Sequence, residues 1–354
     1  MSTTLLNATV PDTAQLAAEY PNLSSGSHQH LLPTIDFTSD SSDAAFTTLS
    51  QAASTTGVAL VTNLPNKPPI ASIQRLFARL YSSPDLASRL NATYPTRKVF
   101  KTACFDSSSA PNIDQKTTID LSVARLQKLR ELHPDLVQDL GTDFHDVLQF
   151  YTSVEAGIMP LLMQATSRMA GSDLAPIHQG GNNNLRLIDY FPDAAPIGPR
   201  CGEHTDYGTY TVVFQDGSVG GLQFDVGNQW VSVPAHVDAV VSWGWCGAIL
   251  SNDRVKAAKH RVLHTQPVQQ RRTTAVIFVA PDMEVPLTPV VGSMQVGQPP
   301  LWSEPIMAGK VCVGDFKQVI AKRWRYREGT EESEEGEVVD GAQDKVVSAF
   351  VRPA

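Results

Sequence analysis

The sequence changes character near Gly180. From about residue 180 to residue 315, short runs of β-branched and aromatic residues alternate with turns that contain Gly, Pro, Asn and Asp. The runs predict strands over residues 185–191, 207–215, 221–224, 229–233, 239–243, 260–264 and 273–279. Many short strands at regular spacing, separated by turn signals, predict a sandwich or barrel of antiparallel strands.

The residues before Gly180 predict a different organisation. Apolar residues recur at helical spacing over residues 69–82 and 134–171, and residues 43–56 are also predicted to be helical. Short strands are predicted over residues 32–37 and 57–62, and residues 92–118 are predicted to be irregular.

These patterns divide the chain into four segments. Residues 1–30, rich in Ser, Thr, Ala and Asn, are expected to form a flexible arm. Residues 31–178 are expected to form an N-terminal α/β region that packs on a β-rich domain over residues 179–325. Residues 326–354 are expected to form an acidic tail, because six glutamates lie between Glu328 and Glu337.

Composition excludes several classes of partner. The chain of 354 residues has 28 Lys and Arg against 36 Asp and Glu, a formal net charge of −8. An acidic chain without basic runs argues against broad binding to nucleic acid or to anionic membranes. It has no stretch of about 18 apolar residues, and residues 1–11 lack the features of a secretory signal. Four cysteines far apart, without a CxxC pair, favour reduced thiols and a cytoplasmic location.

Histidine and aspartate residues in the β-rich domain suggest a metal site. His204 and Asp206 are two residues apart, so on extended backbone their side chains point to the same face. A second predicted strand contains His260 and His264, which also share a face, so strand parity alone does not choose between them. Two histidines and one carboxylate are the facial ligand set of non-haem Fe(II) oxygenases, which leaves coordination positions open for other ligands.

A series of short motifs resembles one family. The motifs are HTDYGT at 204–209, GGLQ at 220–223, WVSVP at 230–234, LSN at 250–252, KHRV at 259–262 and RTT at 272–274. Their order and spacing resemble those of the isopenicillin N synthase-like Fe(II)/2-oxoglutarate-dependent oxygenases. Residues 33–37 also resemble the opening strand of that family, so the resemblance spans most of residues 32–325.

The resemblance implies a fold and a metal site. The expected fold class is α+β, mainly β: a double-stranded β-helix, or jelly-roll, barrel with supporting N-terminal helices. The implied catalytic residues and iron ligands are His204, Asp206 and His260. His260 is chosen over His264 because the family pattern is His-Arg-Val.

The resemblance also implies a binding site for the cosubstrate. Arg272 matches the arginine that binds the distal carboxylate of 2-oxoglutarate, and a planar guanidinium can hold a carboxylate through two hydrogen bonds. Thr274 replaces the family's serine and keeps a hydroxyl donor, and Tyr190 lies near the family's cosubstrate-contacting tyrosine.

Two positions depart from the family pattern. Gly244 is followed by Trp245 and Cys246 where relatives commonly have Gly-Asp, so Trp245 either packs the barrel or reshapes the pocket. In addition, Ile188 or Asp189 occupies the asparagine position of the family's Asn-x-Tyr feature.

The resemblance predicts an Fe(II)- and 2-oxoglutarate-dependent dioxygenase with O2 as cosubstrate and ascorbate as a supporting reductant. Its substrate would be a small molecule, a secondary metabolite, oxidised at an unactivated C–H bond by hydroxylation, desaturation or ring formation or expansion. The protein is expected to be a monomer or a weak homodimer. The first alternative is an iron-dependent oxidase of the isopenicillin N synthase type that does not use 2-oxoglutarate. The second is a non-enzymatic β-barrel binding protein.

Overall fold

The fold is known from a computed structural model that describes most of the chain. The described residues are 32–38, 42–94, 98–103, 114–192, 199–217, 219–263, 270–290, 299–327 and 342–353. The predicted N-terminal arm, the glutamate-rich stretch 328–337 and His264 lie outside these ranges. Within them, no helix combines the length and apolar composition needed to span a lipid bilayer.

Strands in the described residues form two sheets. In chain order they are β1 (Thr34–Asp36), β2 (Val58–Thr62), β3 (Phe100–Ala103), β4 (Lys116–Ser122), β5 (Asn184–Tyr190), β6 (Cys201–Thr205), β7 (Tyr210–Gln215), β8 (Leu222–Val226), β9 (Gln229–Ser232), β10 (Ala239–Trp243), β11 (Lys259–Val262) and β12 (Arg272–Val279). An eight-stranded sheet has the order β1-β2-β10-β7-β12-β5-β4-β3, and a four-stranded sheet has the order β6-β11-β8-β9. The pairs are antiparallel except for β1 with β2.

Helices precede, interrupt and follow the sheets. They are α1 (Ser42–Thr55), α2 (Ile70–Ser82), α3 (Pro84–Ala92), α4 (Val123–Leu132), α5 (Pro134–Ala156), α6 (Ile158–Ala170), α7 (Trp245–Leu250), α8 (Glu304–Met307), α9 (Val313–Arg327) and α10 (Ala342–Val351). The protein is therefore a mixed helix and sheet structure with one large sheet, which agrees with the predicted α+β class.

The large sheet has two faces with different surroundings. On β12, Ala275 and Ile277 belong to an apolar core shared with Phe77 of α2 and Phe144 of α5, so the helices cover this face. The opposite face carries Val276, which belongs to a second core formed with residues of the four-stranded sheet. Because side chains alternate along a strand, each strand of the large sheet serves both layers.

Most of the predicted strands after Gly180 agree with the structure to within a few residues. The predicted strand over 207–215 is shorter, beginning at Tyr210, and β6 was not predicted at all. Residues 92–118, predicted to be irregular, contain β3 and the start of β4. These strands have mixed polar sequences and obtain their hydrogen bonds from partners distant in the chain, such as β11 for β6.

The final helix belongs to the folded part of the molecule. Helix α10 lies within the segment predicted as a tail, yet its Val347 and Val351 are fully buried. They pack in an apolar cluster with Trp302 and Phe316, and the carbonyl of Val351 accepts a hydrogen bond of 2.8 Å from the Ser303 amide. Only the spacing of apolar positions in α10 could have indicated this packing.

Shortening Val347 to alanine should destabilise the protein measurably. The change removes two buried methyl groups and leaves a small cavity, so we expect the free energy of unfolding to fall by about 2 kcal/mol. The measurement is equilibrium denaturation in urea. Ala349 is exposed on the same helix, so Ala349→Ser serves as the control and should be neutral. Equal stability of the Val347→Ala variant and the wild type would show that α10 does not pack on the domain.

Candidate metal centre

The neighbouring strands β6 and β11 bring two histidines together. His204 pairs with His260 across the two strands, and the centroids of their imidazole rings are 4.3 Å apart. Asp206 follows immediately after the end of β6, two residues beyond His204. Its side chain therefore lies on the same side as that of His204, as expected for extended backbone.

The three side chains can hold a single metal ion. One ligand atom from each of His204, Asp206 and His260 lies within 4.8 Å of the others. Oδ1 of Asp206 is 3.6 Å from Nε2 of His204, and Oδ2 is 4.0 Å from Nε2 of His260. All three residues are buried. A carboxylate between two imidazoles suits a divalent transition metal, and a set of three protein ligands leaves room for further ligands.

Backbone carbonyls orient both imidazoles toward Asp206. Nδ1 of His204 is 2.8 Å from the carbonyl oxygen of Gly202, and Nδ1 of His260 is 3.3 Å from that of Ala258. A carbonyl oxygen can only accept, so in each bond Nδ1 carries the proton. The lone pair of each neutral imidazole is then on Nε2, the atom nearest to Asp206. This arrangement fixes the tautomer that a metal ion requires.

The carboxylate of Asp206 is positioned by a side chain and by the backbone around it. The hydroxyl of Thr211 donates a hydrogen bond of 2.6 Å to Oδ2 of Asp206. The carbonyl oxygen of Asp206 accepts a hydrogen bond of 2.9 Å from the amide of Trp245. Gly244 is packed so closely that a Cβ there would lie 2.5 Å from the Asp206 carbonyl oxygen. A side chain at Gly244 would therefore displace the segment that carries Asp206.

A β-bulge explains the geometry of β6. His260 pairs with His204 and Val262 with Cys201, so β6 spans three residues where β11 spans two. The extra residue shifts the alternation of side chains, which lets both Cys201 and His204 line the same cavity. The HxD pattern indicated the shared face of His204 and Asp206, but nothing in the sequence indicated the bulge.

Arg272, Thr274 and Tyr190 lie together on the inner face of the large sheet. Arg272 pairs with Tyr190 across β12 and β5, and its guanidinium is 5.1 Å from the centre of the Tyr190 ring. One guanidinium nitrogen of Arg272 donates to Oε1 of Gln215 at 3.1 Å. Burial raises the pKa of Tyr190 above its ordinary value, so its phenol stays protonated at neutral pH.

Two polar atoms in this group have no hydrogen-bond partner among the described residues. They are Nε of Arg272 and Oγ1 of Thr274, and both are buried. A buried donor without a partner costs about 1–3 kcal/mol, and both residues line the cavity, so a ligand bound there would relieve this cost. A carboxylate ligand would accept hydrogen bonds from both, which fits the distal carboxylate of a 2-oxo diacid.

One cavity joins the histidine–aspartate cluster to the arginine group. It has a volume of about 520 Å³ and is lined by all six residues selected from the sequence. Sequence reasoning missed other residues in its wall, including Lys116, Arg186 and Thr211. Lys116 lies on a strand that was not predicted, whereas Arg186 and Thr211 lie on predicted strands. Only an even spacing along the strand from a known inward-facing residue, such as Tyr190, could have indicated that such a side chain faces inward.

The structure also shows where the two departures from the family pattern lie. Trp245 is buried in an apolar cluster with Ile249 and Trp302 and is not among the residues lining the cavity, so it packs the domain. Ile188 faces the cavity, whereas the carboxylate of Asp189 contacts Tyr81 and Arg271. The asparagine position of the family pattern is therefore not replaced by a cavity-facing polar group.

Part of this chain is similar in sequence to known proteins. Residues 182–281 match the family model of the 2OG-Fe(II) oxygenase superfamily. The chain is 35% identical over 191 residues to a 1-aminocyclopropane-1-carboxylate oxidase of Musa acuminata, covering 51% of this chain and 60% of that protein. It is 32% identical over 136 residues to the 2-oxoglutarate-dependent dioxygenase htyE of Aspergillus rugulosus, covering 34% and 41% of the two chains. The chain thus spans about half the length of the curated relatives it matches.

A solved structure extends the similarity of fold beyond the matched segment. A full-length Neurospora crassa protein, crystallised with alpha-KG and 5-formyluracil, superposes with a TM-score of 0.57 at 22% identity, covering 84% of this chain and 94% of that chain. The fold is therefore shared with that structure. The match of residues 182–281 to the 2OG-Fe(II) oxygenase superfamily model confirms the resemblance seen in the sequence.

Replacing Thr211 by valine should weaken metal binding without unfolding the protein. The change keeps the side-chain shape but removes the donor to Asp206, and loss of such a supporting hydrogen bond typically lowers metal affinity roughly 10–100-fold. Competition with a chelator measures the Zn²⁺ or Fe²⁺ affinity. Thr211→Ser keeps the hydroxyl and should retain most of the affinity. If the valine and serine variants bind metal equally well, the hydroxyl does not orient Asp206.

Proposed function

We propose that the protein is a non-haem Fe(II)- and 2-oxoglutarate-dependent dioxygenase that oxidises a small molecule. One observation carries this proposal: the His204–Asp206–His260 cluster shares a cavity with Arg272 and Thr274, whose buried polar atoms lack partners among the described residues. Iron and a 2-oxo diacid together satisfy both groups. The match of residues 182–281 to the 2OG-Fe(II) oxygenase superfamily model supports the same assignment.

The proposal assigns a role to each residue of the site. His204, Asp206 and His260 are the iron ligands, and Arg272 with Thr274 binds the distal carboxylate of 2-oxoglutarate. Tyr190, kept protonated by burial, offers a phenol proton beside Arg272. We also propose that the eight- and four-stranded sheets are the two sheets of a double-stranded β-helix, with α1 to α6 as the supporting N-terminal helices.

When bound, Fe(II) and 2-oxoglutarate supply the activation of O2 needed to oxidise an unactivated C–H bond of the substrate. The residues of the chain position the substrate and exclude water. The two sheets line the cavity with apolar side chains such as Val213, Leu222 and Val276. These surroundings keep bulk water from the reacting groups, and the walls of the cavity hold the substrate carbon near the metal.

The alternative is an iron-dependent oxidase that does not consume 2-oxoglutarate. The 35% identity to a protein named as an oxidase is the observation in its favour. The unpartnered atoms of Arg272 and Thr274 favour the dioxygenase, because a diacid bound in the cavity would accept hydrogen bonds from them.

Oxygen uptake measured with and without 2-oxoglutarate separates the two activities. With Fe(II) present, the dioxygenase should consume O2 and form succinate only when 2-oxoglutarate is added. This reaction should proceed at a low rate even when no substrate is present. Ascorbate is included as a supporting reductant. Oxygen uptake with a substrate but without 2-oxoglutarate or succinate would favour the oxidase. Asp206→Ala should abolish both signals, and Ala349→Ser should preserve them.

Replacing Arg272 by leucine should weaken 2-oxoglutarate binding while metal binding persists. Loss of a buried charge pair costs about 2–5 kcal/mol, so the dissociation constant should rise by about 30-fold or more. Calorimetry on the Zn²⁺-loaded protein measures it. Arg89 is half exposed on α3 and pairs with Asp139, so Arg89→Leu is the matched control. An unchanged dissociation constant in Arg272→Leu would mean that another residue anchors the cosubstrate.

The remaining parts of the proposal concern the class of substrate and the outcome of the reaction. A secondary metabolite as substrate, with hydroxylation, desaturation or ring formation or expansion as the outcome, is part of the proposal. The relative named as a 2-oxoglutarate-dependent dioxygenase in Aspergillus rugulosus is compatible with it. A cytoplasmic location and a monomeric or weakly dimeric state stay predictions.

A further inference from the structure

Three consecutive asparagines, Asn182, Asn183 and Asn184, line one part of the cavity. The side chain of Asn182 is engaged at both ends. Its Nδ2 donates a hydrogen bond of 2.6 Å to the carbonyl oxygen of Pro281, and its Oδ1 accepts one of 2.9 Å from the hydroxyl of Tyr207. Asn182 therefore connects separate segments of the chain, and its role is structural.

The carboxamides of Asn183 and Asn184 differ from that of Asn182. Their Oδ1 atoms are buried and have no hydrogen-bond partner among the described residues. Asn183 is only 6% exposed, so bulk water does not reach most of its side chain. A buried polar group without a partner is costly, and both residues line the cavity, so a ligand bound there would provide the missing hydrogen bonds.

Asn184 lies on the metal's side of the cavity. The strand register places Thr211 of β7, Phe278 of β12 and Asn184 of β5 in one row across the large sheet. All three residues line the cavity, and Thr211 is the residue that donates a hydrogen bond to Asp206. Because neighbouring strands are about 4.8 Å apart, Asn184 lies roughly 10 Å from Thr211 along this row.

The proposed cosubstrate site lies too far along the sheet to use these carboxamides. Thr274 pairs with Ile188, which is four residues from Asn184, or roughly 13 Å along β5. Arg272 is two residues farther along β12. 2-Oxoglutarate has four carbon–carbon bonds of about 1.5 Å each, so it cannot span this distance. A cosubstrate held by Arg272 and Thr274 therefore leaves the two asparagines to another ligand.

A carboxamide is complementary to another amide whose N–H and carbonyl lie on the same side. It carries an acceptor oxygen and a donor NH2 group next to each other, so a lactam or a primary amide can form two parallel hydrogen bonds with it. A hydroxyl group would form one such bond, and a carboxylate would place an acceptor against the unpartnered oxygens. Phe278, beside Asn184 in the same row, adds an apolar surface.

We propose that the substrate carries a lactam or primary amide group, which Asn183 and Asn184 bind on the metal's side of the cavity, and an apolar body that lies against Phe278. The two carboxamides select the substrate and position it. This inference rests on the proposed function, because it takes the cavity as the place where a substrate meets the metal. The cavity volume of about 520 Å³ is within the roughly 300–1,000 Å³ range of small-molecule sites.

Two probes that differ in one ring position test the hydrogen-bonding preference. They are 2-quinolone, a lactam, and coumarin, in which a ring oxygen replaces the N–H group. Binding is measured by calorimetry on the full-length protein loaded with Zn²⁺ and saturating 2-oxoglutarate. We expect 2-quinolone to bind about fivefold or more tightly, because coumarin leaves an acceptor of the site unpaired. Equal affinities, or no binding of 2-quinolone at millimolar concentration, overturn the proposal.

Leucine variants assign the preference to the two carboxamides. Leucine has the branching of asparagine without its polar atoms, so Asn183→Leu and Asn184→Leu should each remove most of the preference for 2-quinolone and leave coumarin binding within about twofold. Asn184→Asp keeps an acceptor and should retain part of the preference. Asn66 is exposed and is not among the residues lining the cavity, so Asn66→Leu is the matched control. A preference that survives in both Asn183→Leu and Asn184→Leu overturns the proposal.

Stability separates a binding role from a structural one. Because the Oδ1 atoms of Asn183 and Asn184 have no partner among the described residues, leucine at either position should not lower the midpoint of urea denaturation. Asn182→Leu is the contrast, since it removes the hydrogen bonds to Pro281 and Tyr207 and should lower that midpoint. If Asn184→Leu lowers the midpoint as much as Asn182→Leu does, the carboxamide is part of the fold and the proposal is wrong.

Binding of 2-oxoglutarate, measured first without a probe, separates this inference from the proposed function. Failure of 2-oxoglutarate to bind the wild-type protein would contradict the proposed function. Normal binding to the wild type but weaker binding to Asn184→Leu would show that the carboxamide belongs to the cosubstrate site, which overturns the inference alone.

Discussion

The pairing of β6 with β11 is the interaction on which the candidate metal centre depends. It places His204 opposite His260 on adjacent strands, and the bulge in β6 sets which side chains face the cavity. The backbone also supplies the acceptors that hold both imidazole protons, so strand hydrogen bonding and ligand orientation are coupled. A change in register of one residue would turn the histidine of one strand away from the other.

The two faces of the large sheet have different roles. One face is covered by helices and buries an apolar core, whereas the other face carries the arginine group and the wall of the cavity. Side chains alternate along β12, so Ala275 and Ile277 pack under the helices, whereas Arg272 and Thr274 face the cavity. The rigid packing behind the sheet holds the polar groups in place, which is what a site for a reactive centre requires.

Much of this organisation could be predicted from the sequence. Strands such as β7, β10 and β12 have continuous apolar and β-branched sequences, so local pattern located them closely. The HxD spacing and the family motifs selected the residues that the structure brings to one cavity. Strand β6 was missed because Gly202 and Glu203 resemble a loop, and its hydrogen bonds come from β11, far along the chain. The inward-facing charges Lys116, Asp120 and Arg186 could not be recognised, because burial of a charge depends on tertiary partners.

The backbone contacts around Asp206 are independent of any bound ion. The amide of Trp245 donates a hydrogen bond to the carbonyl oxygen of Asp206, and Gly244 packs against the same oxygen. Neither contact uses a side-chain atom that would hold a metal, so the segment keeps its position when the candidate metal centre is empty. Loss of the ion should therefore be reversible, because the ligands are already in place when an ion returns.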